Sequence, residues 1–153
     1  MKIKLDKWAI APSRAHHYDA GLDLYTPVDV CVSGSKSSGS GCCGSYSGSA
    51  YTGSAVINTG VHVQIPEGYV GMLKSKSGLN VNGDLTGEGV IDSGYTGSIV
   101  VKLYNHGSQY RILEAGDKII QLVIMPIITP ELDPVNELED TERGNDGFGS
   151  TGR

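Results

Sequence analysis

Val61-His-Val-Gln-Ile65-Pro-Glu-Gly-Tyr69-Val-Gly-Met-Leu73 is the stretch that decides the fold. Its first five residues alternate apolar and polar, the period-two pattern of a strand with one buried face. Pro66-Glu67-Gly68 supplies a turn, and Val70–Leu73 resumes as a run apolar enough to be covered on both faces. The same grammar extends outward in both directions. Lys2–Leu5 alternates too, whereas Ile99–Tyr104 and Ile119–Ile128 read as strands buried on both faces. Thr59-Gly60, Asn82-Gly83, Asn105-His106-Gly107 and Ala115-Gly116-Asp117 punctuate them. Many short strands at that spacing predict an all-β sandwich or barrel, with helix limited to a turn or two starting near Ser77.

Bulk properties agree. The chain has 153 residues, enough for one domain with a real core. Its 22 Gly, 8 Tyr and single Trp, without a long Ala/Leu/Glu/Lys-rich segment, favour β structure. A net charge of −5 argues against a nucleic-acid or anionic-membrane binder. A polyanionic ligand would have to be held by a few local donors and a metal. Met1–Trp8 has no apolar h-region, so no signal peptide is expected. Ile119–Ile128 is too short, and too broken by Gln121 and Pro126, to span a membrane. Cys31, Cys42 and Cys43 are odd in number with two adjacent, which reads as neither a disulfide framework nor a zinc site. A reducing cytoplasm is the compartment expected.

Three segments depart from the strand pattern. Residues 33–54 are dominated by Ser and Gly and read as a flexible excursion between strands, with Cys42-Cys43 an incidental exposed pair. Thr129–Glu142 turns acidic and Pro-containing, a linker. Arg143-Gly-Asn-Asp-Gly-Phe-Gly-Ser-Thr-Gly-Arg153 cannot build a core; its amides, hydroxyls and Arg143 suit anions, and Phe148 offers a flat face for a base. The expected organisation is a β-domain over 1–130, followed by a linker and lid arm over 131–153. A loose terminus is the bland alternative for that arm.

Five segments in order resemble the five motifs of the trimeric dUTPase family: Asp19-Ala-Gly-Leu-Asp-Leu-Tyr25, Lys76-Ser-Gly-Leu79, Gly89-Val-Ile-Asp-Ser-Gly-Tyr-Thr-Gly97 continuing to Asn105, Gly116-Asp-Lys-Ile-Ile-Gln-Leu122, and Arg143–Gly152. The resemblance implies a distorted jelly-roll β-barrel and a homotrimer whose active sites are shared by three chains. It implies hydrolysis of dUTP to dUMP and pyrophosphate, assisted by Mg²⁺, which keeps uracil out of DNA and supplies dUMP for thymidylate synthesis. The 33–54 stretch is longer than the family's usual connection.

Residue by residue, Asp92 matches the family's catalytic carboxylate, which must orient a water and accept its proton. Read alone, without the other motifs, it is a turn Asp hydrogen-bonding its own backbone. Ser77, Gln121, Arg143, Ser150 and Thr151 are implied contacts of the phosphate chain, with Lys76, Gly78 and Gly149 also touching substrate. The backbone of Gly87–Ile91, including Gly89, Val90 and Ile91, would form the base pocket. Tyr95 would pack beneath the deoxyribose and leave no room for a 2′-hydroxyl, or else be a core Tyr. Phe148 would cap the base. Mg²⁺ would be held by the triphosphate and waters, with no direct protein ligand and Asp23 as an outer-shell helper or a structural hydrogen-bonding group.

Three positions depart from the family pattern: Lys76 stands where Arg is usual, Gly94 where Asp is common, and Asp146 where Gly is common. A dCTP deaminase-like enzyme is one alternative, but its catalytic Glu would fall at Lys102. A non-catalytic nucleotide-binding regulator is another. His16-His17 reads as a solvated pair, Lys7, Lys36 and Lys118 as scattered surface charges, and Met72 and Met125 as core fillers.

Overall fold

The computed structural model describes residues 1–34 and 53–145. Lys36, Cys42, Cys43, Asp146, Phe148, Gly149, Ser150 and Thr151 lie outside the described residues. Among the described residues, eleven strands and one helix follow in order: β1 (Lys2–Leu5), β2 (Gly21–Tyr25), β3 (Val30–Val32), β4 (Ser54–Asn58), β5 (Val61–Gln64), β6 (Tyr69–Lys74), α1 (Ser77–Gly83), β7 (Leu85–Thr86), β8 (Gly89–Ile91), β9 (Val100–Asn105), β10 (Arg111–Leu113) and β11 (Lys118–Pro126). The β-rich expectation with one short helix holds among these residues.

The strands pair antiparallel in four small sheets: β1–β5, β10–β3, β2–β11–β6–β8 and β4–β9–β7. Their inner faces share one core that includes Leu24, Val32, Val61, Ile99, Val101, Ile120 and Leu122. Fully burying each such side chain contributes about 1.5–3 kcal/mol. The turn between β5 and β6 follows the sequence reading: Tyr69 N donates to Pro66 O at 3.2 Å. Gly68, at the third turn position, has φ +79°, which only glycine adopts without strain.

Two runs expected to be buried on both faces are not. Along β9, Val101, Leu103 and Asn105 are buried while Val100, Lys102 and Tyr104 are exposed, so the strand alternates. On β11, burial stops after Leu122, and Met125 is 47% exposed instead of filling the core. Met72 is only half-buried. β1 exposes Ile3 and Leu5 as well as its lysines.

The ends of the Ser/Gly stretch are also built into the fold. Ser33 and Ser54 are buried, and a Cβ on Gly34 would meet the Ser108 carbonyl oxygen at 2.3 Å. Cys31 is buried and disulfide-bonded, which corrects the reading of the cysteines as unbridged. No helix among the described residues is long and apolar enough to cross a membrane.

Candidate active site

The four-stranded sheet β2–β11–β6–β8 carries both halves of the expected site. At one end, β6 runs into Ser75 and Lys76 before α1 begins at Ser77. Gln121 of β11 sits opposite Asp23 of β2 on one side and Lys74 of β6 on the other. Its amide Nε2 donates to Ser75 O at 3.2 Å, while its Oε1 lies where a Cβ on Gly21 would have to be. Gly21 therefore gives Gln121 room to lie across β2. Ser75 Oγ in turn donates to Gly87 O and accepts from Gly87 N, both at 3.0 Å, which ties the start of Lys76–Leu79 to the backbone expected to form the base pocket.

Asp23 is the charged centre of this end. It is 6% exposed, and each carboxylate oxygen holds one lysine: Lys76 Nζ at 2.5 Å from Oδ1 and Lys118 Nζ at 2.9 Å from Oδ2. Burial alone would push the Asp23 carboxyl up. The hydrogen bonds and charges of Lys76 and Lys118 outweigh that and hold it below its ordinary value. The hydrogen bond and charge of Asp23 likewise raise the Lys118 ammonium.

Lys118 is thus no idle surface charge. Its reach depends on a register shift in β11, where Lys118 pairs with Tyr25 but Ile120 pairs with Leu24. The extra residue puts Lys118 on the same face as Asp23, diagonally across the pair.

Asp92 and Tyr95 lie at the other end. β8 pairs with β6 so that Ile91 faces Gly71, and Asp92 follows immediately. Asp92 O accepts from Tyr95 N at 3.0 Å, closing a tight turn that leaves the carboxylate exposed. Tyr95 is 43% exposed, which removes the core-Tyr reading. Its hydroxyl donates to Ser98 O at 2.9 Å, and its ring lies over Gly97, where a Cβ would meet the phenol oxygen at 2.5 Å. Space around Gly94 is open, so Gly is not demanded there by packing. A cavity of about 500 Å³ lies by Ser75, Thr86, Gly87, Glu88 and Tyr104, on the expected base-pocket side.

The two halves are held apart in one chain. Asp92 sits at the Val70 end of β6, and Gln121 pairs at Lys74. Four strand residues separate them, about 13 Å at about 3.3 Å per residue. Lys76, Ser77, Gly78 and Gln121 gather at one end, with Gly89, Val90 and Ile91 on the connecting strand and Asp92 and Tyr95 at the other. Arg143 lies in exposed, irregular chain beyond β11. Ser75 and Lys118 were missed by the sequence reading; Lys118 stands inside the Gly116–Leu122 motif, which was the available signal. At Lys102 the ammonium lies 5.0 Å from the Tyr104 ring centre, so a deaminase carboxylate has no counterpart there.

Comparison with known proteins identifies the family. A family model described as dUTPase matches residues 46–152. The deoxyuridine 5′-triphosphate nucleotidohydrolase of Clostridium tetani is 36% identical over 157 residues, covering 100% of this chain and 97% of that protein. The structure of the Staphylococcus bacteriophage 80alpha dUTPase with dUPNHPP superposes with a TM-score of 0.80 at 34% identity, covering 99% of this chain and 98% of that one. A mutant dUTPase from phage phi11 of S. aureus, described with a structural Mg(II) ion, gives 0.72 at 30% identity over 91% of this chain and 98% of that one. The chain belongs to the dUTPase family.

Proposed function

We infer that the chain is a dUTP diphosphatase, working as a homotrimer in the cytoplasm with each active site assembled from more than one copy. Water held by the Asp92 carboxylate attacks the α-phosphorus and gives its proton to that carboxylate. The bond from the α-phosphorus to the bridging oxygen breaks, and pyrophosphate leaves with dUMP remaining. Ser77, Gln121 and the Lys76 ammonium grip the phosphate chain, joined by Arg143, Ser150 and Thr151 from the arm. Tyr95 sits against the sugar where a 2′-hydroxyl would clash. The backbone of Gly89, Val90 and Ile91 reads the base, a hydrogen-bonding site of the kind that rejects mismatched edges by about 10⁴ or more. Phe148 and Gly149 close over the base.

Donor chemistry limits where Mg²⁺ fits. Both oxygens of Asp23 already hold lysines, so an ion carried on the triphosphate with its own waters suits this rim, with Asp23 reached through water. When bound, it neutralises charge on the phosphate oxygens.

The observation that carries the reading is the separation along β6. A nucleophile must come within about 3–3.5 Å of its phosphorus, which Asp92 cannot deliver to phosphates gripped about 13 Å away by its own chain. A neighbouring copy supplies the missing end. Apolar side chains that a single chain leaves uncovered support this: Val56, Val100 and Tyr104 on the outer face of β4 and β9, and Ile128, Leu132 and Leu138 past β11.

The test is pyrophosphate release from dUTP with Mg²⁺, together with solution mass. The expected result is turnover by a particle three times the 16.1 kDa chain, abolished by Asp92→Asn with binding retained. Binding of dUTP without release by the native protein would favour the regulator reading, and a fully active monomer would refute the shared site.

A further inference from the structure

The loop from Asp92 to Ile99 carries both groups the proposed chemistry needs, yet it is exposed at Asp92 and again from Gly94 to Thr96. Its far foot is fixed to the β4–β5 corner. Ile99 N donates to Val61 O at 2.8 Å, Thr59 N donates to Ile99 O at 3.1 Å, and Ser98 Oγ donates to Asn58 Oδ1 at 2.5 Å. Those bonds begin three residues after Tyr95. Between them and Asp92, the hydrogen bond to the body of the protein among the described residues comes from a side chain of β5.

That side chain is His62. Its Nδ1 lies 2.9 Å from Thr96 O, in the residue that follows Tyr95. A carbonyl oxygen accepts only, so Nδ1 carries the proton and donates. The opposite nitrogen, Nε2, is buried without a hydrogen-bond partner. Asp6 Oδ1 stands 3.4 Å from it, within ion-pair reach though not in hydrogen-bonding alignment. Asp6 is itself fixed, its backbone N donating to Gly60 O at 2.9 Å just past the end of β1. A chain of contacts thus runs from the N-terminal strand through an imidazole to the residue adjoining Tyr95.

We propose that His62 is a positioning residue that holds the Asp92–Tyr95 turn in register with substrate. This rests on the assignment of Asp92 and Tyr95 above. His62 touches neither water nor substrate; it acts through Thr96. A misplacement on the order of 1 Å costs about 10²-fold in rate when it affects the reacting geometry, and one lost tether of several should cost less, about ten-fold.

The chemistry of the two ring nitrogens gives a test that separates positioning from folding. Asn places an amide nitrogen near the position of Nδ1, whereas Gln places one near Nε2. Steady-state kinetics on dUTP and UTP are measured for the native protein and for Asp92→Asn, His62→Ala, His62→Asn and His62→Gln, each checked for its thermal midpoint and assembly. The expected result is a kcat about ten-fold lower for His62→Ala and His62→Gln, with KM within two-fold and a narrowed dUTP-over-UTP ratio, and rescue by His62→Asn. Native kcat and selectivity in His62→Ala, while Asp92→Asn is dead, would overturn the proposal alone. Equal losses in all three His62 variants would overturn it too, since a packing role does not distinguish Asn from Gln. An inactive native protein would instead sink the assignment of Asp92 itself.

Discussion

Replacing Asp23 by Asn probes the charged end of the sheet most directly. The carboxylate is 6% exposed, and the substitution leaves Lys76 and Lys118 facing each other across a neutral amide. Breaking a fully buried pair by removing one partner costs about 3–5 kcal/mol. Both lysines here reach solvent, at 26% and 40% side-chain exposure, so screening reduces the cost to about 1–3 kcal/mol. In a chain of this size, 2 kcal/mol lowers the melting midpoint by about 4–8 °C. The assay is thermal unfolding of native and Asp23→Asn protein at one matched concentration, because the proposed assembly would make the midpoint concentration-dependent.

The pH dependence has a definite sign. The Asp23 carboxyl is held below its ordinary 3.8, so its stabilising contribution is complete above that value and disappears as pH falls through the folded-state value. Lys118 is raised above its ordinary 10.5, so its share is lost only as pH rises through its folded-state value. The gap between the two proteins should therefore be flat through neutral pH and close in acid. An Asn variant as stable as the native protein at pH 7, or a gap that widens in acid, would refute the ion-pair account.

Two further outcomes concern function. Tyr95→Ala should narrow the preference for dUTP over UTP by at least about ten-fold, measured as the ratio of kcat/KM values, because the ring proposed to exclude a 2′-hydroxyl is gone; an unchanged ratio would remove Tyr95 from sugar selection. Truncation after Glu142 should nearly abolish pyrophosphate release while leaving the solution mass of the assembled protein intact, and full activity without the arm would exclude a lid.

Local chemistry was legible in the sequence and nonlocal chemistry was not. Pro66-Glu67-Gly68 announced its turn because both the rigid residue and the one able to take positive φ lie within it. The alternation of Val61–Ile65 announced its buried face for the same reason. Val100, Tyr104 and Met125 misled because apolar character says that a side chain will be covered, without saying whether its own chain does the covering. Lys118 was misread because its partner lies on another strand, and because an extra residue in β11 turns it toward Asp23; neither pairing nor register is written locally. His62 looked like the polar half of an alternating strand. Its ring meets a loop more than thirty residues downstream.

The placement of Asp92 and Gln121 at opposite ends of β6 has a genetic consequence. If every working centre borrows one end from each of two copies, then two different inactive chains can repair one another. Co-assembled Asp92→Asn and Gln121→Ala subunits would regenerate centres that take the intact carboxylate from one parent and the intact amide from the other. Each mutant alone would stay silent. Activity reappearing on mixing and re-annealing would be complementation between alleles, and it follows from the length of a single strand.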